Sequence, residues 1–259
     1  MPNKNSSVFI SLVTYKTKID DIKRLLSMKY NESFCIQIFD NSADDKLWIF
    51  CKQNNLPYIR SINNIGFGAG HNKNIEIFKK NNNNFDFVLI LNPDIEITKD
   101  KILSLVKSYK SSADVGLLSP LLLNSDSSAQ RQYQKIKPLH LFVFHHFLKK
   151  NKFLLGAKYK ELYDVELLHG PCLLIRSYLF DLIGGFDQRY FLYFEDLDLS
   201  MQIRHLNKRV VIDSNISVIH RLQRESSSNF KLFLIHLSSL FKFYLKNKNF
   251  YKENYLQTK

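Results

Sequence analysis

"FDFVLILNPDIEI", Phe85 to Ile97, decides the fold. Apolar residues run without a break from Phe87 to Leu91, and Asn92-Pro93-Asp94 then stops them. A short unbroken apolar run bounded by turn residues is a strand covered on both faces, as in a parallel sheet. A strand with one wet face would alternate instead. Upstream the same signal recurs. "VFISLVTY" (8–15) reads as a buried strand, followed by a helical pattern through Ile22, Leu25 and Leu26. "FCIQIFDNS" (34–42) is a second strand and "LPYIRSI" (56–62) a short third, while "NNIGFGAGHNKNIEIFKK" (63–80) is a loop feeding a helix. This alternation predicts an α/β fold with a mostly parallel central sheet flanked by helices. Ligands of such sheets bind beyond the carboxyl ends of the strands, where Asp40, the glycine loop and Asp94 all fall.

Downstream, residues 124–165 lose any clear period and read as an irregular excursion. "RYFLYFEDLDLSMQIRHL" (189–206) crowds aromatics against Glu195, Asp196 and Asp198 before Leu199, Ile203 and Leu206 set up a helix. Acidic groups in a first turn often do no more than satisfy free N–H groups. "RVVIDSNISVIH" (209–220) is a strand pair or one extended run. The segment 229–252 is helical, apolar on much of its circumference and basic toward its end.

At 259 residues and 45% hydrophobic content the chain buries a substantial core and is not disordered. Its net charge of +13 favours an anionic partner: nucleic acid, an anionic membrane or a phosphorylated substrate. No recognisable nucleic-acid motif is present, and the basic residues are spread rather than gathered on one helix, which argues against nucleic acid as the partner. Three cysteines without CxxC spacing argue against a disulfide framework or a zinc site. The apolar run near the start is too short for a signal peptide, and no segment approaches ~18 uninterrupted apolar residues. These features predict a cytoplasmic protein.

Of only eight glycines, Gly66, Gly68 and Gly70 lie together in "GFGAG". The spacing is G-x-G-x-G, which is neither the Rossmann fingerprint nor a Walker loop. An ordinary strand-to-helix turn and a diphosphate cradle both fit. Asp94, in a turn after a buried strand, suits a hard divalent cation whose other ligands come from a diphosphate. His220, closing an apolar run, is either a hydrogen-bonded core histidine or a metal ligand.

The ordered set "VTYK", "FDNS", "NNIGFGAGHN", "ILNPDIEI", "HGPCLLIRSYLFDLIGGFD", "YFLYFEDLDLSMQIR" and "VIH" resembles bacterial family-2 glycosyltransferases. Within them it is most similar to rhamnosyltransferase-like members that build surface polysaccharides, over roughly residues 8–222. The resemblance implies the GT-A fold: residues 1–228 as catalytic domain, with 1–123 the nucleotide-sugar half and 124–228 the acceptor and catalytic half, then 229–259 as a basic aromatic helical tail. It implies an inverting transferase using Mg²⁺ or Mn²⁺, a nucleotide-sugar donor and a glycan or lipid-linked glycan acceptor. Carried over by position, Thr14, Tyr15, Asp40, Asn64, Gly66, Asn72 and Asp94 belong to the donor site, with Asp40 meeting base or ribose. Asp94 and His220 hold the metal, Asp196 is the catalytic base, and Gly170, Gly185, Asp187 and Glu195 frame the acceptor side. Asn92 stands where a full D-x-D motif has an acid. Asn207 replaces the glycine that often follows the acidic helix, a substitution a left-handed cap tolerates.

The chemistry fits the cluster. An acceptor hydroxyl must lose its proton as it attacks the anomeric carbon, and the departing diphosphate must be stabilised. By the same resemblance dTDP-rhamnose is the first choice of donor, with a UDP-hexose as the alternative; a non-catalytic scaffold or a nucleic-acid-binding protein are the rival classes. Lys242, Lys246, Lys248 and Lys252 among Phe241, Phe243, Tyr244 and Phe250 suit contact with anionic headgroups at the inner face of the plasma membrane. Packing on the domain or a homodimer contact are the other uses of that tail.

Overall fold

The structure is a computed structural model describing residues 7–24, 33–81, 84–136, 162–221 and 230–256, with side chains of the last helix described to Lys248. Expectations on Leu25, Leu26, Phe250 and Lys252, and on residues 137–161 of the irregular excursion, fall outside the described residues.

Strands β1 (Val8–Thr14), β2 (Phe34–Asp40), β3 (Tyr58–Arg60) and β4 (Phe87–Leu91) form as the apolar runs predict, and they pair in parallel in the order β3-β2-β1-β4. The extended run becomes a single strand, β11 (Arg209–His220), with a register shift between Asp213 and Ser217. It lies parallel to β6 (Val115–Leu123). Between β4 and β6 sits β10 (Cys172–Arg176), antiparallel to both, so β6 and β11 run in the direction of β1 to β4. β5 (Ile95–Glu96) and β8 (Leu162–Asp164) pair with β11 in the opposite sense and complete nine strands. β7 (Tyr133–Gln134) and β9 (Leu167–Leu168) form a separate two-stranded ribbon.

Alternation along the buried strands divides the core into two layers. Val8, Ile10 and Leu12 with Phe87, Leu89 and Leu91 meet α2 (Asp45–Gln53) and α4 (Lys99–Lys110) through Leu47, Ile102 and Leu105. Phe9, Val88 and Ile90 face the other way, onto α3 (Phe67–Lys80), α5 (Ser177–Leu182) and α6 (Glu195–His205) through Phe78, Leu179 and Leu199. With α1 (Ile19–Lys23) this is a three-layer α/β fold. Covering both faces explains why the strands carry no polar alternation.

A third apolar cluster joins α6 to the C-terminal helix, α7 (Phe230–Leu256). Leu240, Phe243 and Tyr244 are buried against Tyr190, Phe194, Leu197 and Met201. This corrects part of the tail expectation: Phe243 and Tyr244 face the domain, and Lys246 is paired with Asp187 and Asp198 at 2.8 and 2.6 Å, so these groups are not offered to headgroups. Buried carboxylates hold the lysine more strongly than a solvated surface would. Among the described residues no helix is long and apolar enough to cross a membrane.

Candidate active site

Register brings the predicted donor residues to one end of the sheet. Thr14 and Asp40 are the last residues of β1 and β2, paired across the ladder, and Asn92 follows β4 directly. Asp40 is fully buried. Its Oδ1 accepts from the Thr14 hydroxyl at 3.0 Å and from the backbone N–H and hydroxyl of Ser42, and its Oδ2 accepts from the Asp44 N–H and the Tyr58 hydroxyl at 2.7 Å. Burial pushes this carboxyl up, but the hydrogen bonds from Ser42, Tyr58 and the Asp44 N–H outweigh it and hold it below its ordinary value. Asp40 is therefore a permanently charged organiser of the strand ends, and its oxygens are already engaged where contact with base or ribose was expected. Tyr15, by contrast, is 53% exposed at the rim.

The glycine loop is shaped by contact with the other half of the domain. Gly66 has φ 93°, and a Cβ there would lie 2.2 Å from the Phe191 carbonyl oxygen, so only glycine fits. The Asn64 side chain accepts from the Gly66 N–H at 2.9 Å, and Asn41, which sequence reasoning passed over, donates to the Gly66 carbonyl at 3.0 Å. Asn72 donates to the Phe186 carbonyl at 2.7 Å and accepts its N–H at 2.9 Å. Both ends of its amide are thus used to clamp the Gly184-Gly185 turn, where Gly185 has φ 72°. Asn64, Gly66 and Asn72 hold the walls in place around the donor end of the sheet.

Asp94 and His220, which the resemblance implied as metal ligands, lie side by side in the structure. Gln130 fixes how. Its Nε2 donates to the backbone carbonyl of His220 at 2.7 Å, so its Oε1 is the acceptor for His220 Nδ1–H at 2.8 Å. That leaves the His220 Nε2 as an acceptor 3.4 Å from Asp94 Oδ1, so that both could serve as ligands of one cation. Asp94 Oδ1 and Asn92 Oδ1 are buried without hydrogen-bond partners. Among the described residues no group of three or more His, Cys, Asp or Glu gathers around a metal position, and Asp94 with His220 is a pair that could hold a cation only together with further ligands. Gln130 was missed in the sequence; the only signal was glutamine at alternate positions, 130, 132 and 134, within an otherwise irregular stretch.

Asp196 sits in the first turn of α6. Its Oδ2 accepts the Gly170 N–H at 2.8 Å and its Oδ1 the Leu197 N–H at 2.8 Å, leaving further lone pairs for a substrate proton. His169 Nδ1 lies 3.7 Å from Oδ2. A cavity of 390 Å³ is lined by Gln130, Arg131, His169, Pro171 and His220, and so reaches from His220 to His169, the neighbour of Gly170. His169 was missed because the adjacent Gly170 drew the attention.

The other acids divide the labour. Glu195 is buried with Oε2 unpartnered; burial, then the neighbouring Asp196 charge, push its carboxyl well above its ordinary value. Burial likewise raises Asp198, against the lowering effect of Lys246. Asp187 is held well below its ordinary value by Arg189 in the first place, against the effect of burial, with Lys246 assisting. Asp187 is thus bound within the protein and not free for an acceptor. Ahead of the acidic pair the backbone turns through two left-handed aromatics, Tyr193 at φ 68° and Phe194 at φ 70°. Such residues are strained and survive only where packing fixes them. Here Phe194 is buried on Phe243 and His236 of α7, and Ser239 of α7 donates to the Leu192 carbonyl at 2.8 Å. Asn207 closes α6 in the left-handed region at φ 56°.

Comparison with known proteins supplies the context. No protein-family model matches the chain. It is 28% identical over 228 residues to the low-salt glycan biosynthesis hexosyltransferase Agl10 of Haloferax volcanii, covering 87% of this chain and 71% of the relative. It is 29% identical over 262 residues to rhamnosyltransferase WbbL of Escherichia coli K12, covering 94% and 96%. Over 143 residues it is 29% identical to the N-acetylglucosaminyl-diphospho-decaprenol L-rhamnosyltransferase of Mycobacterium tuberculosis, of which it spans 47%. Among solved structures it resembles GalNAc-T7 with UDP, GalNAc and Mn²⁺ (TM-score 0.64, 13% identity, 93% of this chain and 48% of that one). It also resembles the mannosyltransferase PcManGT of Pyrobaculum calidifontis with GDP-Man and Mn²⁺ (TM-score 0.63, 14% identity, 95% and 66%). These structural likenesses establish the GT-A fold.

Proposed function

We propose that this chain, a glycosyltransferase of GT-A fold, moves a sugar from a nucleotide diphosphate donor onto a hydroxyl of a glycan or lipid-linked glycan, with inversion at the anomeric carbon. L-Rhamnose from dTDP-rhamnose is the donor favoured by the rhamnosyltransferase relatives. The observation that carries the reading is the Asp94–His220 pair, two acceptors held 3.4 Å apart at the carboxyl end of the sheet by the grip of Gln130. Asp94 and His220 would hold Mg²⁺ or Mn²⁺, in line with the Mn²⁺ in both structural neighbours. When bound, that ion neutralises charge on the departing diphosphate.

This chain's own residues do the rest. Asp196, oriented by the Gly170 and Leu197 N–H groups, takes the proton of the acceptor hydroxyl as it attacks. The cavity lined by His220 and His169 offers room for a sugar beside these groups. Burial and the neighbouring Asp196 charge raise the Glu195 carboxyl, which disfavours a second negative charge beside Asp196. Thr14, Asp40, Asn64, Gly66 and Asn72 hold the donor end rigid, and Tyr15 offers an aromatic face at its rim.

The test is thermal stabilisation of the purified protein by dTDP, UDP, GDP and CMP, each with Mn²⁺ and with EDTA, together with transfer assays. One nucleotide should raise the melting temperature in a Mn²⁺-dependent manner. Asp196→Asn should keep that shift while transfer falls by about 10²–10⁴-fold. An active Asp196→Asn variant would show that another group is the base, and a shift indifferent to EDTA would remove the metal from the site.

A further inference from the structure

The described part of α7 has two faces of opposite character. The inner face, Ser239, Leu240, Phe243 and Tyr244, is buried on the domain. On the other side Phe230, Leu234, Phe241 and Leu245 follow one another at intervals of a helical turn and its multiples, and they are 74, 49, 55 and 71% exposed. Four large apolar side chains in one stripe, left bare by a helix whose opposite side packs on the domain through Ser239, Leu240, Phe243 and Tyr244, require an occupant. The charge around the stripe narrows the choice. Among the described side chains of α7, Lys231, Lys242 and Lys248 are exposed, Lys242 while donating to the Arg189 carbonyl, and there is no Asp or Glu. A second copy of this chain meeting the stripe about a two-fold axis would set those lysines against themselves. A bilayer with anionic headgroups satisfies both features at once: its acyl boundary takes the apolar stripe and its headgroups take the lysine rims.

The geometry points to the outer face of α7 as a docking surface for an anionic lipid bilayer, with the helix axis in the plane of the interface. Lys246 belongs to the inner face and pairs with Asp187 and Asp198, so it is not part of the contact. The same helix buttresses the Tyr193–Phe194 turn ahead of Asp196, and docking therefore presents the acidic helix at a fixed orientation to the membrane.

The test uses the full chain and no substrate, so its outcome is independent of the donor and metal assignments. Sedimentation with vesicles of phosphatidylcholine alone and of phosphatidylcholine with phosphatidylglycerol should show binding to the anionic vesicles, weakened by raising salt. Phe241→Glu with Leu245→Glu should lower the bound fraction by more than about ten-fold. Phe230→Glu with Leu234→Glu should act in the same direction, and both variants should keep the parental melting temperature because the replaced groups are exposed. Failure of the parent to bind, equal binding to both vesicle types, or undiminished binding of both double variants would overturn the proposal. So would a lipid-free dimer that either pair of substitutions dissolves, since the occupant would then be a second copy.

Discussion

Lys246→Met isolates what α7 contributes to the packing around α6. Lys246 Nζ lies 2.6 Å from Oδ2 of Asp198, a fully buried carboxylate, and 2.8 Å from Oδ2 of Asp187. Methionine keeps the length of the side chain and removes the charge. Asp187 retains Arg189, so the loss falls on Asp198. Breaking a buried pair by deleting one partner costs about 3–5 kcal/mol. Hydrogen bonds to Asp198 survive from Gln202 at 3.0 Å, Tyr190 at 3.3 Å and Asn247, which places the expected cost at the low end, about 3 kcal/mol. For a chain of this size that is a fall in melting temperature of about 6–12 °C at pH 7. The pH dependence has a definite sign. Burial raises Asp198 above its ordinary value and Lys246 lowers it in part. A carboxyl raised in the folded state opposes stability once pH rises through its folded value, and that opposition fades as pH falls toward the unfolded value. Without Lys246 the folded value climbs further, so the deficit of the variant should shrink as the pH is taken from 7 to about 5. Adding Asp198→Asn removes the unpaired charge, and the double variant should lie within about 1 kcal/mol of the Asp198→Asn single variant. Melting curves of the four proteins at the two pH values make the measurement. A Lys246→Met protein that melts within about 2 °C of the parent would refute the reasoning. So would an equal deficit with and without Asp198→Asn.

Two further outcomes are expected. Gln130→Ala frees the His220 ring while leaving both proposed metal ligands in place; the Mn²⁺ concentration needed for half-maximal nucleotide stabilisation should rise about 10–100-fold, and an unchanged titration would place the ion elsewhere. Glu195→Gln replaces a carboxyl that burial and Asp196 have raised well above its ordinary value, so the parent loses stability as pH rises through that value and the variant does not. At pH 8 the variant should melt at or above the parent, and a markedly lower melting temperature would show that the Glu195 charge is needed for folding.

The sequence by itself determined the secondary structure and the layer architecture, because those follow from local patterns. Unbroken apolar runs specify strands covered on both faces, Asn-Pro-Asp ends one of them, and the acidic first turn starts α6. It also singled out Asp94, His220, Asp196 and Gly170, and the fold unites Asp94 with His220 and Asp196 with Gly170. What a residue does once folded was decided by partners far away in the chain. His220 takes its orientation from Gln130, 90 positions earlier, and Asp198 its counter-charge from Lys246, 48 positions later. Nothing in the local spacing encodes either contact. Asp40 illustrates the same limit, since its place at a strand end was legible but its complete set of internal hydrogen bonds was not. The reversed strand β10 also escaped the reading, because an apolar run buried on both faces looks the same in either direction. Periodicity records which side of an element is apolar; only the packed chain determines which charges meet, which are buried, and which one is left to take a proton.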